Sequence, residues 1–274
     1  MSAGELVFVK LGGSLITDKT RPGVAREEVI ARLARELMRA RLERPDLRLL
    51  IGHGSGSFGH VVGQRYGTRA GVRDAEGWRG FAETAAAAAR LNRIVTDQML
   101  AAGLPVWSIQ PSATARCRDG RLVSLGWEAI QRALDVGLVP LIYGDVALDE
   151  VRGGTIVSTE ELFAFLAPIL HPRRIVLVGE VDGVFTTDPR RDPAARRIPR
   201  LTPEEVACHR IGLGEAHGVD VTGGMASKVR IMADLVRQMS DLDVHLIGGL
   251  APDALFQVLM DPTYPAGTHI RHQA

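Results

Sequence analysis

The 274-residue sequence predicts an α/β fold: a three-layer αβα sandwich around a mostly parallel, open sheet. Two observations carry that prediction. Short apolar runs of strand length alternate with helix-period segments along the whole chain. Several of those runs end in glycine-rich turns, the strand ends at which open α/β sheets bind ligands. The sequence contains no internal repeat, low-complexity tract or linker, so a single domain over 1–274 is expected.

The elements follow in order. Leu6–Leu11 is a strand ended by Gly12-Gly13-Ser14, with Lys10 near its C-terminal end. Lys19 follows nine residues on. Residues 26–44 form a helix with Val29, Ile30, Leu33, Leu37 and Met38 on one face and a solvated, charged opposite face. Pro45 ends it. Residues 47–51 form a buried strand, and Gly63, Gly67 and Gly71 are expected to interrupt any helix after it. Residues 75–102 read as one long helix or two shorter ones, with a small run at 85–89 suited to close packing. Trp78 and Phe81 at its start, with Val72 before it, serve either as core or as the wall of a pocket beside His60. Residues 105–109 form a strand, 127–134 a short helix, and Val139–Tyr143 a strand ending at Gly144-Asp145-Val146. Residues 146–158 form a hairpin turning at Arg152-Gly153-Gly154. Ser158 or Thr159 caps a helix over 160–170, whose first turn carries Glu160 and Glu161. A strand over 174–178, a polar loop over 190–200, a helix entered at Lys228 and ending near Ser240, a strand over 243–247 and a helix over 252–260 complete the chain.

Composition bounds the function. A net charge of +1 argues against a nucleic-acid partner. No run approaches the roughly 18 apolar residues of a membrane span. The chain enters its first strand without a basic, apolar leader. Cys117 and Cys208 have neither metal-ligand spacing nor a partner motif and read as reduced thiols, so a cytoplasmic protein is expected.

The stretch Ile51-Gly52-His53-Gly54-Ser55-Gly56-Ser57-Phe58-Gly59-His60 stands at the centre of the functional reading. Its glycines let other groups approach closely, and consecutive N–H groups in such a loop form an anion nest. His60 closes the stretch with a further donor. The same letters fit G-x-G-x-x-G, with Asp74 as the acid. That fingerprint requires a helix directly afterwards and a strand ending at the acid, and neither is expected here. The 33 basic residues divide into 30 arginines and three lysines, Lys10, Lys19 and Lys228. In a chain that uses arginine by default, each lysine marks a site for a compact point charge, as phosphate sites often require. All three lie in or beside glycine-rich turns. Asp145 sits at another strand C-terminus.

These motifs together resemble the amino acid kinase superfamily: Lys10-Leu11-Gly12-Gly13-Ser14, the segment from Asp182 to Pro189, and Asp220 through Lys228. Gly56-Ser57-Phe58-Gly59-His60 and Tyr143-Gly144-Asp145-Val146 are similar to the isopentenyl phosphate kinase family within it. The resemblance implies ATP-dependent phosphorylation of isopentenyl phosphate to the diphosphate, with Mg²⁺ carried on the ATP phosphates, in a homodimer. It implies that residues up to about 170 form the acceptor side and residues from about 171 the nucleotide side. Lys10, Gly12, Gly13 and Ser14 would hold ATP phosphates, and Lys19 would stabilise the transferring phosphoryl group. Gly54, Ser55 and Gly56 would lie between donor and acceptor phosphates. Gly59 and His60, with Ser158 and Thr159, would bind the substrate phosphate. Asp145 would orient the lysines. Asp182, Gly183, Phe185 and Asp188 would surround the nucleotide, and Gly223 with Lys228 would grip its distal phosphates. One departure stands out. The family commonly has Ser-Gly-Asp where this chain has Ser158-Thr159-Glu160, and the Thr159 side chain is expected to crowd the substrate phosphate. A kinase acting on fosfomycin is the nearest enzymatic alternative, and a ligand sensor without catalysis is the alternative of another class.

Overall fold

The computed structural model describes residues 4–189, 191–208 and 224–272. The first third holds β1 (Leu6–Leu11), α1 (Gly13–Ile16), α2 (Glu27–Glu43), β2 (Arg48–His53), α3 (Gly56–Arg65) and α4 (Ala75–Ala101). Next come β3 (Val106–Ser108), β4 (Arg116–Arg118), β5 (Arg121–Ser124), α5 (Glu128–Asp135), β6 (Val139–Tyr143), β7 (Asp145–Asp149), β8 (Gly153–Val157) and α6 (Thr159–Leu170). The last part holds β9 (Arg174–Gly179), β10 (Val184–Phe185), β11 (Arg197–Ile198), β12 (Arg200–Leu201) and α7 (Pro203–Ala207). It ends with α8 (Gly224–Gln238), β13 (Asp243–Gly248), α9 (Ala254–Met260) and β14 (Thr268–Ile270).

Eight strands form the main sheet in the order β12-β14-β13-β9-β1-β2-β6-β3. Only the β13–β14 pairing is antiparallel. The period of two along β1 splits its side chains between two cores. Val7, Val9 and Leu11 pack with α1, α2, α4 and α9, whereas Leu6 and Phe8 pack with α5, α6 and α8. This is the expected αβα sandwich. The hairpin β7–β8 joins β4 and β5 in a separate four-stranded sheet.

Two expectations change. A helix, α3, does follow the glycine stretch, and it contains Gly59 and Gly63. Packing outweighs their low helix propensity: a Cβ at Gly63 would lie 2.8 Å from Ile156 Cδ1, so a larger residue would push α3 off the hairpin. The dinucleotide reading still fails, because Asp74 ends no strand. It is the N-cap of α4, accepting from Gly77 N–H at 2.7 Å. The hairpin turns over 150–152, with Gly153 and Gly154 opening β8. Residues 75–101 form one unbroken helix. The four-residue α1, the five-residue α7 and the short strands β4, β5, β10, β11, β12 and β14 escape periodicity because each spans too few residues to show a period.

One histidine pair, His245 buried and His269 half-buried, should make folding sensitive to acid. His245 and His269 face each other across β13 and β14 with ring centroids 4.1 Å apart. Neither ring nitrogen of His245 has a hydrogen-bond partner among the described residues. Burial, then His269 and Arg174, push His245 down to about 3, and burial lowers His269 as well. The unfolded chain therefore binds more protons than the folded one below the ordinary histidine range. Stability should be full above about pH 6.5 and fall as pH drops toward 3, by up to about 1.4 kcal/mol per pH unit for each such proton. Urea unfolding at pH 7 and pH 5 should show the slope, and His245→Phe should flatten it. An unchanged slope in that variant would remove His245 as its source.

Candidate active site

The C-terminal ends of β1, β2, β6 and β9 open onto one cavity of about 920 Å³. Lys10 approaches it from β1. Gly12, Gly13 and Ser14 continue the wall, Gly54 to Ser57 follow β2, Gly144 follows β6, Gly179 ends β9 and Glu180 follows it.

Lys10 takes its direction from strand alternation. It lies in register with Leu6 and Phe8, on the face covered by α6 and α8. There its Nζ bonds Glu160 Oε1, in the first turn of α6. Lys228 Nζ, in the second turn of α8, lies 4.0 Å from the same oxygen. Glu160 is 2% exposed, so its charge is sustainable only with partners. Burial pushes its carboxyl up, but Lys10 and Lys228 outweigh burial and hold it below the usual range. A capping box fixes the turn that carries it: Glu161 N–H donates to Ser158 Oγ at 3.2 Å, and Ser158 N–H donates to Glu161 Oε2 at 2.6 Å.

Lys19 comes in on a loop pinned by Asp18. That carboxylate accepts from Thr20 N–H at 2.8 Å, Thr20 Oγ1 at 2.7 Å and Arg21 Nε at 2.8 Å. Lys19 Nζ lies 3.2 Å from Glu180 Oε2, and Arg26 Nη1 lies 3.3 Å from Glu180 Oε1.

The glycines allow the loops after β1 and β2 to touch backbone to backbone. A Cβ at Gly13 would lie 2.5 Å from Gly56 N, and Gly56 itself holds φ at +50°. Thr17 locks the contact by donating to Gly13 O at 2.7 Å and accepting from Ser57 N–H at 3.0 Å. The cradle thus sits at the N-terminus of the ten-residue helix α3, whose dipole favours an anion. His60 projects into the same cavity from the helix's second turn, beside Val61 and Gln64.

The cavity gathers Lys10, Gly12, Gly13, Ser14, Lys19, Gly54, Ser55, Gly56, His60, Ser158, Thr159, Gly183, Phe185, Asp188 and Lys228. Gly59 faces the Ser55 side chain instead. Asp182 does not line the cavity; it accepts from Gly248 N–H at 3.0 Å and from Arg197 at 2.7 Å. Gly223 lies outside the described residues.

Asp145 is expected from the resemblance to orient the lysines; its described hydrogen bonds go elsewhere, its carboxylate accepting from Ser112 N–H at 3.2 Å and from Val146 N–H at 2.8 Å. Burial pushes it up, with those bonds only partly offsetting. Glu160 pairs with Lys10 and Lys228. Thr159 also differs from expectation. Its hydroxyl donates to His53 O at 2.6 Å and its methyl occupies the space of a Cβ at Gly52, so the side chain is tied to the end of β2 while the residue still lines the cavity. The aromatic wall is elsewhere too. Trp78 packs edge-on to Phe81 at 5.4 Å, and Phe81 and Val72 cover Gly154 of the hairpin. The apolar lining near His60 comes from Val61, Ile156 and Val157. Glu180 gave no local signal in the sequence, because its meaning depends on a loop far away in the chain.

Lysines gathered around a glycine cradle at the strand ends of an αβα sandwich define a phosphoryl-transfer enzyme. Comparison with known proteins agrees. The profile of the amino acid kinase family matches residues 5–248. An isopentenyl phosphate kinase of Methanothermobacter thermautotrophicus is 33% identical, over 93% of this chain and 95% of that protein. One from Haloferax volcanii is 38% identical, over 82% and 86%. A solved isopentenyl phosphate kinase structure superposes with a TM-score of 0.82 at 30% identity, covering 97% of this chain and 99% of that one. The chain belongs to the amino acid kinase family.

Removing the shared carboxylate should disable the site. Glu160→Gln removes the counter-charge that Glu160 supplies to buried Lys10 and should cost about 3–5 kcal/mol of stability. Turnover should fall as well, while Glu160→Asp, which keeps the charge on a shorter arm, should retain more of both. Urea titration and steady-state kinetics check this. Full activity in Glu160→Gln would free the lysines from dependence on it.

Proposed function

We propose that this protein transfers the γ-phosphoryl group of ATP to isopentenyl phosphate, giving isopentenyl diphosphate and ADP. The observation that carries the reading is the convergence of Lys10, Lys19, Lys228 and His60 on one cavity around the Gly54–Gly56 cradle. The similarity to isopentenyl phosphate kinases names the acceptor. An oxygen of the acceptor phosphate attacks the γ-phosphorus as the bond to the ADP oxygen breaks. Both partners are anions, so catalysis is a matter of positioning and charge neutralisation.

The residues divide that task. Lys10 and Lys228, held by Glu160, meet the donor phosphates, with the Gly12–Gly13 turn beneath them. Val181, Gly183, Val184, Phe185 and Met225 supply a mixed wall for the nucleotide, with Asp188 and Arg191 at its rim. Lys19, free to leave Glu180 while Arg26 keeps that carboxylate paired, follows the charge as it moves. His60 meets the acceptor phosphate, and Val61 with Ile156 receives its apolar tail. Among the described residues no cluster of three or more His, Cys, Asp or Glu side chains is placed to hold a metal. Magnesium is proposed to arrive on the nucleotide phosphates, where it would neutralise their charge. No helix among the described residues is long and apolar enough to cross a membrane. We place the enzyme in the cytoplasm, as a homodimer; the exposed Trp107 on edge strand β3 is compatible with pairing between copies. Sedimentation would measure the oligomeric state.

A coupled ADP-release assay with isopentenyl phosphate, run beside fosfomycin and glutamate, tests the assignment. ADP release with glutamate or fosfomycin and none with isopentenyl phosphate would overturn it.

Two variants separate the roles. Lys19→Ala should lower kcat on the order of 100-fold with little change in KM for ATP, because its charge matters most in the transition state. Lys19→Arg should be impaired too, since a planar fork does not replace a point charge. A kcat that does not move would take Lys19 out of the mechanism. His60→Ala should raise KM for isopentenyl phosphate and lower kcat/KM by about 1.5–3 kcal/mol, roughly one to two powers of ten. KM for ATP should hardly change, and His60→Gln, which keeps a donor without the charge, should fall between. Equal damage to both KM values would reduce His60 to a shaper of the loop.

A further inference from the structure

We propose that His53 is a positioning residue for the anion cradle, acting through the Gly54 peptide. The inference rests on the phosphoryl-transfer reading of the cavity but concerns a residue that does not line it.

His53 ends β2 on the face shared by Leu49 and Ile51, so its ring points toward α4 and not into the cavity. The ring is fully buried and stacks on Tyr143 at 5.6 Å, with planes 12° apart. Its Nδ1 lies 3.1 Å from Gly54 O, and its Nε2 lies 3.2 Å from Asn92 Oδ1. The other end of the Asn92 amide lies 2.6 Å from Ser108 Oγ. A backbone carbonyl only accepts, whereas the Asn92 amide carries both a donor and an acceptor and the Ser108 hydroxyl does either. The ring proton therefore belongs on Nδ1, aimed at Gly54, with the Asn92 amide turned so that its N–H donates to Nε2 and its oxygen accepts from the Ser108 hydroxyl. Burial, and to a lesser extent the charge of Lys10, keep the ring below the usual histidine range and so neutral at pH 7.

The consequence for the cradle is geometric. The Gly54–Ser55 peptide is trans, so its carbonyl and its N–H point in opposite directions. A carbonyl drawn back onto His53 sends the Ser55 N–H the other way, toward the cavity that Gly54 and Ser55 line. The same residue fixes two more walls with its main chain. His53 O accepts from Gly144 N–H at 3.0 Å and from Thr159 Oγ1 at 2.6 Å, next to Glu160. His53 thus ties the end of β2 to the end of β6 and the start of α6, and its ring sets which way the first cradle amide faces.

The test compares His53→Phe, which keeps a flat ring against Tyr143 but has no donor, with His53→Asn, which keeps an N–H near the Nδ1 position. In His53→Phe, kcat should fall roughly tenfold with KM for ATP within about threefold of wild type, and His53→Asn should recover most of the loss. Inorganic pyrophosphate should shift the Ser55 amide resonance in wild type and in His53→Asn, and not in His53→Phe. That titration involves no acceptor substrate, so it distinguishes failure here from failure of the isopentenyl phosphate assignment, which the coupled assay alone decides. An equal Ser55 response in wild type and His53→Phe, or equal impairment of the two variants, would overturn the proposal. Should His53→Phe not fold, Asn92→Ala decides. There the ring nitrogen resonances should report a mixture of tautomers and kcat should fall about threefold or more. An unchanged kcat in Asn92→Ala would overturn it equally.

Discussion

The site depends on a charge that could not stand alone. Glu160 is buried, and an isolated carboxylate there would be unstable by several kcal/mol. Lys10 from β1 and Lys228 from α8 neutralise it, and each lysine gains a fixed address in return. Three elements that are distant in sequence are thereby held together at the mouth of the cavity. The capping box of α6 keeps the carboxylate from swinging, because Ser158 and Glu161 satisfy the end of the helix on either side of it.

A second constraint is steric. The loops after β1 and β2 meet with so little space that Gly13 and Gly56 admit no side chain. The backbone contact brings exposed amides and a helix N-terminus to one point, which a pair of ordinary loops padded by side chains would not do. A related fit operates one residue before His53. Gly52 leaves the room into which the Thr159 methyl packs, so a threonine is accommodated where the family commonly has glycine. The charged site and the cradle meet at His53, whose carbonyl holds Thr159 and whose ring faces Gly54.

Where the sequence and the structure part, the reasons are physical. Asp145 and Glu160 both sit at ends of elements facing the ligand side, and both are acidic. Local pattern does not tell which one meets the lysines. The choice is made by the α6–α8 packing that puts Glu160 opposite Lys10, while Asp145 turns to Ser112. Helix α3 was hidden because glycine content opposes it locally, and only its burial against α4 and the hairpin supports it. Trp78 and Phe81 have the apolar character of a pocket wall, but the hairpin of β7 and β8 lies over them. The short strands of the second sheet exist through pairing and not through their own periodicity.

By itself the sequence determined the class of fold, since alternating strand and helix periods leave few ways to bury both faces of a sheet. It also determined which residues had the chemistry for the site: three lysines in a chain of arginines, the glycine cradle and His60. Those are properties of residue type and near-neighbour spacing, which a linear chain displays directly. Only the tertiary structure decided which carboxylate serves the lysines, where Thr159 points, which apolar groups line the acceptor end and what stands behind the cradle. Each of those is a contact between segments far apart in the chain, from His53 to Asn92 or from Lys10 to Glu160. Such contacts form when the helices settle on the sheet, and nothing in the local order of residues records them.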